Sequence, residues 1–253
     1  MTDRDPPAEE LPRAVHAWPY LVRIEVLAAI AMLLAVLVWS ILVDAPLQAA
    51  ANPGITPNPA KAPWYFLGLQ ELLVYFDPWI AGVMIPALIL FGLAAIPYLD
   101  VNERGNGYYT LRERPFALTI FLFGFSLWFG LIAVGVFLRG PGWAFFAPWT
   151  PWDPLRFETA ANVNLFGALE RRSAAAGAVA GGLALSAYFL LPPLVFRSWL
   201  RRRRPELLER LGRWRYALVS FLLLCMTFLP VKMLLRWLFH IKYIWVLPGV
   251  FNV

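Results

Sequence analysis

Cysteine and histidine are scarce: this 253-residue chain holds one cysteine, Cys225, and two histidines, His16 and His240. A single cysteine excludes an internal disulfide, a cysteine-rich iron–sulfur or zinc site, and haem attached through Cys-x-x-Cys-His. Charge is scarce as well. Charged residues make up 15% of the chain, where a soluble domain carries about 25%. Hydrophobic residues make up 60% and the mean hydropathy is +0.61, so the chain reads as an integral membrane protein. It shows no internal repeat and no inverted pair of broken helices of the kind that builds transporters. The few charges inside its apolar runs argue against an ion pathway or pump. A net charge of +6 does not indicate nucleic acid, because the basic residues flank apolar runs and read as topogenic and lipid-facing.

Crossing a bilayer as helix takes about 20 predominantly apolar residues. Uncharged runs at 26–43, 79–99, 115–138 and 173–196 qualify or nearly so, and a fifth at 216–231 reaches that length through 239 if Lys232 and Arg236 snorkel. The expected architecture is all-α, with about five transmembrane helices near 24–43, 79–99, 115–138, 173–196 and 216–239. Pro86, Pro97, Pro192, Pro193 and Pro230 predict kinks or ends rather than breaks. Gly177, Gly181 and Gly182 give the fourth span a small-residue face suited to close helix packing. Residues 1–19, acidic and Pro-rich at the start and without signal-peptide layout, read as a disordered tail, and 20–253 as one membrane domain. With the N-terminus cytoplasmic, 14 Lys and Arg residues fall on the cytoplasmic side and 8 on the other, which favours that orientation.

Two segments then share the outer face. The first, around 57–79, carries Pro57, Pro59 and Pro63, which stiffen its entry, followed by the flat surfaces of Trp64, Tyr65 and Phe66. Gln70 and Glu71 bring polar groups into this apolar setting, on a short amphipathic helix expected over 64–76. An interfacial hairpin with an aromatic belt is the plainer reading of this loop. The second segment follows the third span and is dense in aromatics, Pro and Gly. Its Trp143, Trp149 and Trp152 suit a cap at headgroup level, or a roof that touches a partner. The Arg201–Arg204 cluster reads as a topogenic, lipid-phosphate-binding run.

The stretch Ala51-Asn-Pro-Gly-Ile-Thr-Pro-Asn-Pro-Ala-Lys-Ala-Pro-Trp-Tyr-Phe-Leu resembles the loop after the first helix of the C-terminal half of cytochrome b, which in cytochrome b6f complexes is the separate subunit IV. In that family a Pro-Glu-Trp-Tyr signature lies at the quinol-oxidation pocket, and here Ala62-Pro63-Trp64-Tyr65 stands in its place. The start Leu138-Arg-Gly-Pro-Gly-Trp and the ending Lys232-Met-Leu-Leu-Arg-Trp…Ile241-Lys-Tyr-Ile-Trp-Val also look like bacterial members. The resemblance runs from about Tyr20 to the C-terminus, and the order and spacing of the loop motif make it fairly specific.

The resemblance implies a non-haem subunit of a bacterial inner-membrane quinol:cytochrome c oxidoreductase or one with an equivalent acceptor, active only within its complex. Pro63, Trp64, Tyr65 and Phe66 would line the quinol pocket. The family's b-type haems sit on its N-terminal half, so the implied partners are a cytochrome b6-like diheme subunit, a Rieske iron–sulfur protein and a c-type cytochrome, in a complex dimer among membrane lipid. No cofactor besides quinol or quinone is expected on this chain alone, and both histidines read as structural or interfacial. One departure matters: Pro63 stands where the family has a glutamate thought to take a proton from the quinol. Glu71, eight residues on, is the candidate replacement acceptor, with Tyr65 positioning the ring or the Rieske partner. The plainer reading points Glu71 to water or pairs it with Lys61. Two other functions fit the same residues: a structural paralogue that no longer oxidises quinol, and a quinone-binding anchor of another membrane oxidoreductase.

Overall fold

The computed structural model describes residues 17–45, 50, 52–102, 104, 110–153, 162–247 and 251–253. His16 and most of the tail expected over 1–19 lie outside the described residues. The chain divides into two units, Met1–Ile55 and Thr56–Val253. In the first unit a π-helical turn, Ala17–Leu21, leads into α1 (Val22–Leu42). Its residues beyond Glu25 carry no charge and its apolar side chains point to every side, the pattern of a helix surrounded by lipid.

The second unit starts with the aromatic loop and a 3-10 turn at Trp64–Phe66, followed by α2 (Leu67–Leu72). A π-helical turn, Ile80–Met84, opens α3 (Ile85–Leu99), and another, Val134–Leu138, closes α4 (Pro115–Ala133). The short α5 (Gly167–Glu170) precedes two long helices, α6 (Ala174–Arg203) and α7 (Pro205–Phe239). Four short strands complete the unit: β1 (Val163–Asn164), β2 (Ile241–Tyr243), β3 (Val246–Leu247) and β4 (Phe251–Asn252). β1 pairs with β2 in parallel and β3 with β4 antiparallel. The sequence carried no hint of these two ribbons.

Among the described residues, five helices are long and apolar enough to cross a membrane: Ala17–Leu42, Ile80–Leu99, Pro115–Leu138, Ala174–Arg203 and Pro205–Phe239. The fold is therefore mostly α and built from five candidate spans, with the expected short helix in the first loop. Apolar chain in lipid has no water for its peptide groups, and helix satisfies them internally. The last two helices overrun their apolar runs because charged residues that favour helix continue them. α7 begins at Pro205, well before the expected span, and breaks at Gly212, whose φ of 66° is open to glycine. α6 and α7 pass through Pro192, Pro193 and Pro230. Between them the Tyr188 hydroxyl donates to the Leu224 carbonyl at 3.0 Å, and Tyr216 donates to the Pro193 carbonyl at 2.6 Å.

Two expectations about α6 and α7 change. Among the described residues the glycine face of α6 receives no second membrane-spanning helix at Gly177, Gly181 or Gly182. A Cβ at Gly181 would stand 2.6 Å from the Ile244 carbonyl oxygen, and one at Gly177 would meet Glu170, so this face takes the chain after β2 and α5 instead. Lys232 does not snorkel. It is fully buried, donates to the Lys242 carbonyl, and lies over the rings of Phe76 and Tyr243. The segment after α7 folds back over it and supplies the acceptor that a headgroup would have supplied.

The buried core gathers where α3 begins and α4 ends. Leu72, Tyr75, Phe76, Ile80, Ala81 and Leu131 pack there against Phe228 of α7 and Ile244. The core thus begins at the end of α2, the element that follows the aromatic turn in the chain.

Candidate functional site

Pro63, with φ of −51°, caps the 3-10 turn, and its carbonyl accepts the Phe66 N–H at 2.8 Å. The turn sets three consecutive aromatic rings outward, with Trp64 61%, Tyr65 51% and Phe66 50% exposed. Trp64 meets Tyr65 edge-on at 5.7 Å, and Tyr65 lies 4.8 Å from Phe66. The result is a ridge of ring faces with an indole N–H and a phenol on it.

The ridge stands on a fixed base. Gln70 reaches back from α2, accepting the Ala62 N–H and donating to the Ala60 carbonyl, both at 2.9 Å. Lys61 donates to the Val136 carbonyl at 2.7 Å and lies 5.0 Å from the centre of the Trp152 ring. Burial holds its ammonium below the usual lysine range. The Asn58 side-chain oxygen accepts the Gly142 N–H at 2.6 Å, joining the loop before α2 to the loop after α4. Gly142 has φ of 62°, and Trp143 after it a φ of 59°, a conformation that bulky residues seldom adopt. The Trp143 indole N–H is buried and unpartnered among the described residues.

Glu71 lies under this base and apart from the ridge. α2 buries Leu67, Gly68, Glu71 and Leu72 on one face, so its only carboxylate points inward. There Arg139 grips it in a fork: Nε donates to Oε2 at 2.9 Å and Nη2 to Oε1 at 2.7 Å. Tyr75 donates to Oε1 at 2.9 Å, and the Trp237 indole donates to the Tyr75 oxygen at 3.1 Å. Arg139 also donates to the Trp143 carbonyl at 3.0 Å. Glu71 is 0% and Arg139 3% exposed. Burial, then the charge and hydrogen bond of Glu71, push the Tyr75 phenol up from its ordinary value. A carboxylate offers about four acceptor positions, and these three bonds leave one, on Oε2.

Neither plain alternative for Glu71 describes this geometry: it does not point to water, and Lys61 binds a carbonyl instead. The expected quinol-side residues Pro63, Trp64, Tyr65 and Phe66 do come together on one exposed surface. Arg139, Tyr75, Asn58 and Trp237 escaped the sequence reading. A signal for the first was present, since a carboxylate on the inner face of a short helix needs a cation, and Arg139 is the charge that ends the third apolar run. His240 caps α7 at its exposed end with φ of 56°. No second histidine faces it among the described residues, and His16 lies outside them. Nor do the described residues hold any cluster of three or more His, Cys, Asp or Glu.

No solved structure matches the chain. Residues 50–147, from the loop before α2 into the loop after α4, match the model of the family described as cytochrome b(C-terminal)/b6/petD. That segment contains the ridge, its base and the Glu71–Arg139 pair. Over that segment the chain is similar to the cytochrome b C-terminal/b6/petD family, whose members are membrane subunits of cytochrome bc-type complexes.

Proposed function

We propose that this chain is the non-haem membrane subunit of a quinol:cytochrome c oxidoreductase, or of one with an equivalent acceptor, and that Pro63, Trp64, Tyr65 and Phe66 form one wall of its quinol-oxidation pocket. The observation that carries this reading is the exposed aromatic ridge on a base fixed by Gln70, Asn58 and the buried ion pair. Quinone and quinol rings are flat and apolar with two polar oxygens, and stacked aromatic faces carrying one or two donors suit them. In this reading the electrons pass to partners: a cytochrome b6-like diheme subunit, a Rieske protein and a c-type cytochrome. The complex lies in a bacterial inner membrane with this chain's N-terminus cytoplasmic, an orientation supported by the skew of Lys and Arg.

Glu71 has two roles to be separated. As a positioning residue it locks α2 to Arg139 and so fixes the ridge. As proton acceptor it uses the position left on Oε2, which motivates a second reading because Pro63 cannot take a proton. Glu71→Gln slows quinol turnover more than about tenfold in either role; turnover within about twofold of the natural protein removes both. The pH profile divides them. A lost acid limb in Glu71→Gln marks the acceptor, whereas an unchanged profile with an equal loss in Arg139→Gln marks the anchor. For the pocket itself, a quinol-site inhibitor binds the assembly and loses affinity in Tyr65→Ala. Unaltered inhibitor binding in that variant would leave the structural paralogue as the better reading. Mass spectrometry of the purified assembly tests the partners, and a molybdopterin subunit in place of a diheme cytochrome would favour the anchor of a different oxidoreductase.

A further inference from the structure

We propose that the end of α6 and the start of α7 form a binding site for the phosphodiester of an anionic membrane lipid, with Arg197, Arg201 and Arg213 as its ligands. The three line one groove of about 260 Å³ together with Leu208 and Glu209. The break at Gly212 lies in the groove wall: it interrupts the helix between Leu208 and Arg213, and Arg213 lines the same groove as Arg197 and Arg201 of α6. Arg197 is half-buried and pre-oriented. Its guanidinium lies 5.5 Å from the centre of the Tyr216 ring, and Tyr216 is tied to the Pro193 carbonyl.

Three guanidiniums against one carboxylate give the groove a formal charge of +2. Among the described residues no carboxylate lies within ion-pair distance of Arg197, Arg201 or Arg213. Like charges lining one groove repel unless an anion joins them, and a guanidinium fork matches phosphate oxygens geometrically. Depth selects the source of that phosphate. Arg197 directly follows the apolar run that ends at Phe196, and the apolar run of α7 starts at Tyr216. The groove therefore sits where the headgroups of a bilayer lie. Free phosphate shares the chemistry but gains nothing from that depth or from the Leu208 wall.

The test uses the full chain in phosphatidylcholine nanodiscs titrated with phosphatidylglycerol, with bound lipid counted by native mass spectrometry. Arg201→Gln/Arg213→Gln weakens phosphatidylglycerol binding about tenfold or more, whereas Arg202→Gln/Arg210→Gln, equal in charge but not lining the groove, changes it less than about twofold. Arg201→Lys/Arg213→Lys keeps the charge and still loses at least about threefold, because a point charge cannot make the fork. Equal losses in the two glutamine pairs, or natural binding in the lysine pair, would reduce the site to a diffuse basic surface and overturn the proposal. Displacement of the lipid by millimolar inorganic phosphate would reassign the groove to the free ion.

Discussion

Glu71 and Arg139 lie 68 positions apart in the chain, and each is buried only because the other is there. Removing one partner strands the other charge in an apolar setting, which costs about 3–5 kcal/mol. Arg139→Gln therefore lowers the unfolding free energy in detergent by that amount, and Glu71→Gln/Arg139→Gln recovers part of it. A double variant as weak as the sum of the singles would show that the two side chains act independently. Tyr75 adds a dependence on alkali. Its phenol titrates higher in the folded chain, first because it is buried and then because of Glu71. Below the unfolded value of about 10 the phenol is neutral in both states and the difference costs nothing. Above it the unfolded chain ionises while the folded chain resists, so stability falls as pH rises. Unfolding midpoints followed from about pH 9 upward drop more steeply for the natural protein than for Tyr75→Phe. Parallel curves would mean that the phenol is solvated in the folded state.

At the scale of elements, how much the sequence reveals depends on how local the cause is. Apolar runs bounded by charges located the spans, since insolubility in water and hydrogen bonding within lipid act over contiguous residues. The short helix after the aromatic loop was legible too, but its length was not. It ends at Leu72 because Tyr75 and Phe76 turn into the core against Phe228, a contact 152 positions away that no window of sequence contains. For the same reason the aromatic ridge could be read from consecutive residues, whereas Arg139 and Trp237 could not. The glycines of α6 suit a second spanning helix by their spacing, and they receive α5 and the chain after β2 instead. Gly181→Ala sets a methyl group 2.6 Å from the Ile244 carbonyl oxygen and 2.9 Å from the Trp245 Cα, both backbone atoms. The variant destabilises by about 1–3 kcal/mol. Gly92→Ala, with nothing within 4 Å of the added carbon, is neutral or stabilises by up to about 1 kcal/mol. Thermal unfolding of the two variants in one detergent checks the contrast, and equal midpoints would deny the close approach.

For the whole molecule, the division of labour within a cytochrome bc-type complex can be tested on the histidines. A b-type haem held by two imidazoles needs both at once, at fixed separation and aimed at one iron. His240 sits instead on the exposed end of α7, where its carbonyl accepts from Arg236 and from the Val163 N–H. Its backbone has the left-handed geometry that ends a helix. The residue thus has a structural task that asparagine, which tolerates that geometry, performs as well. Under the proposed reading all haem iron lies on partner subunits. His240→Asn and His16→Ala, each introduced into the intact assembly, then leave the reduced-minus-oxidised b-haem spectrum and its midpoint potentials unchanged. Tagging this chain still recovers the same haem content per copy. Loss of a b-haem signal in either variant would place an axial ligand on this chain. The electron path would then run through this subunit rather than past it, and the ridge of Trp64, Tyr65 and Phe66 would have to be reconsidered as part of a haem-bearing subunit.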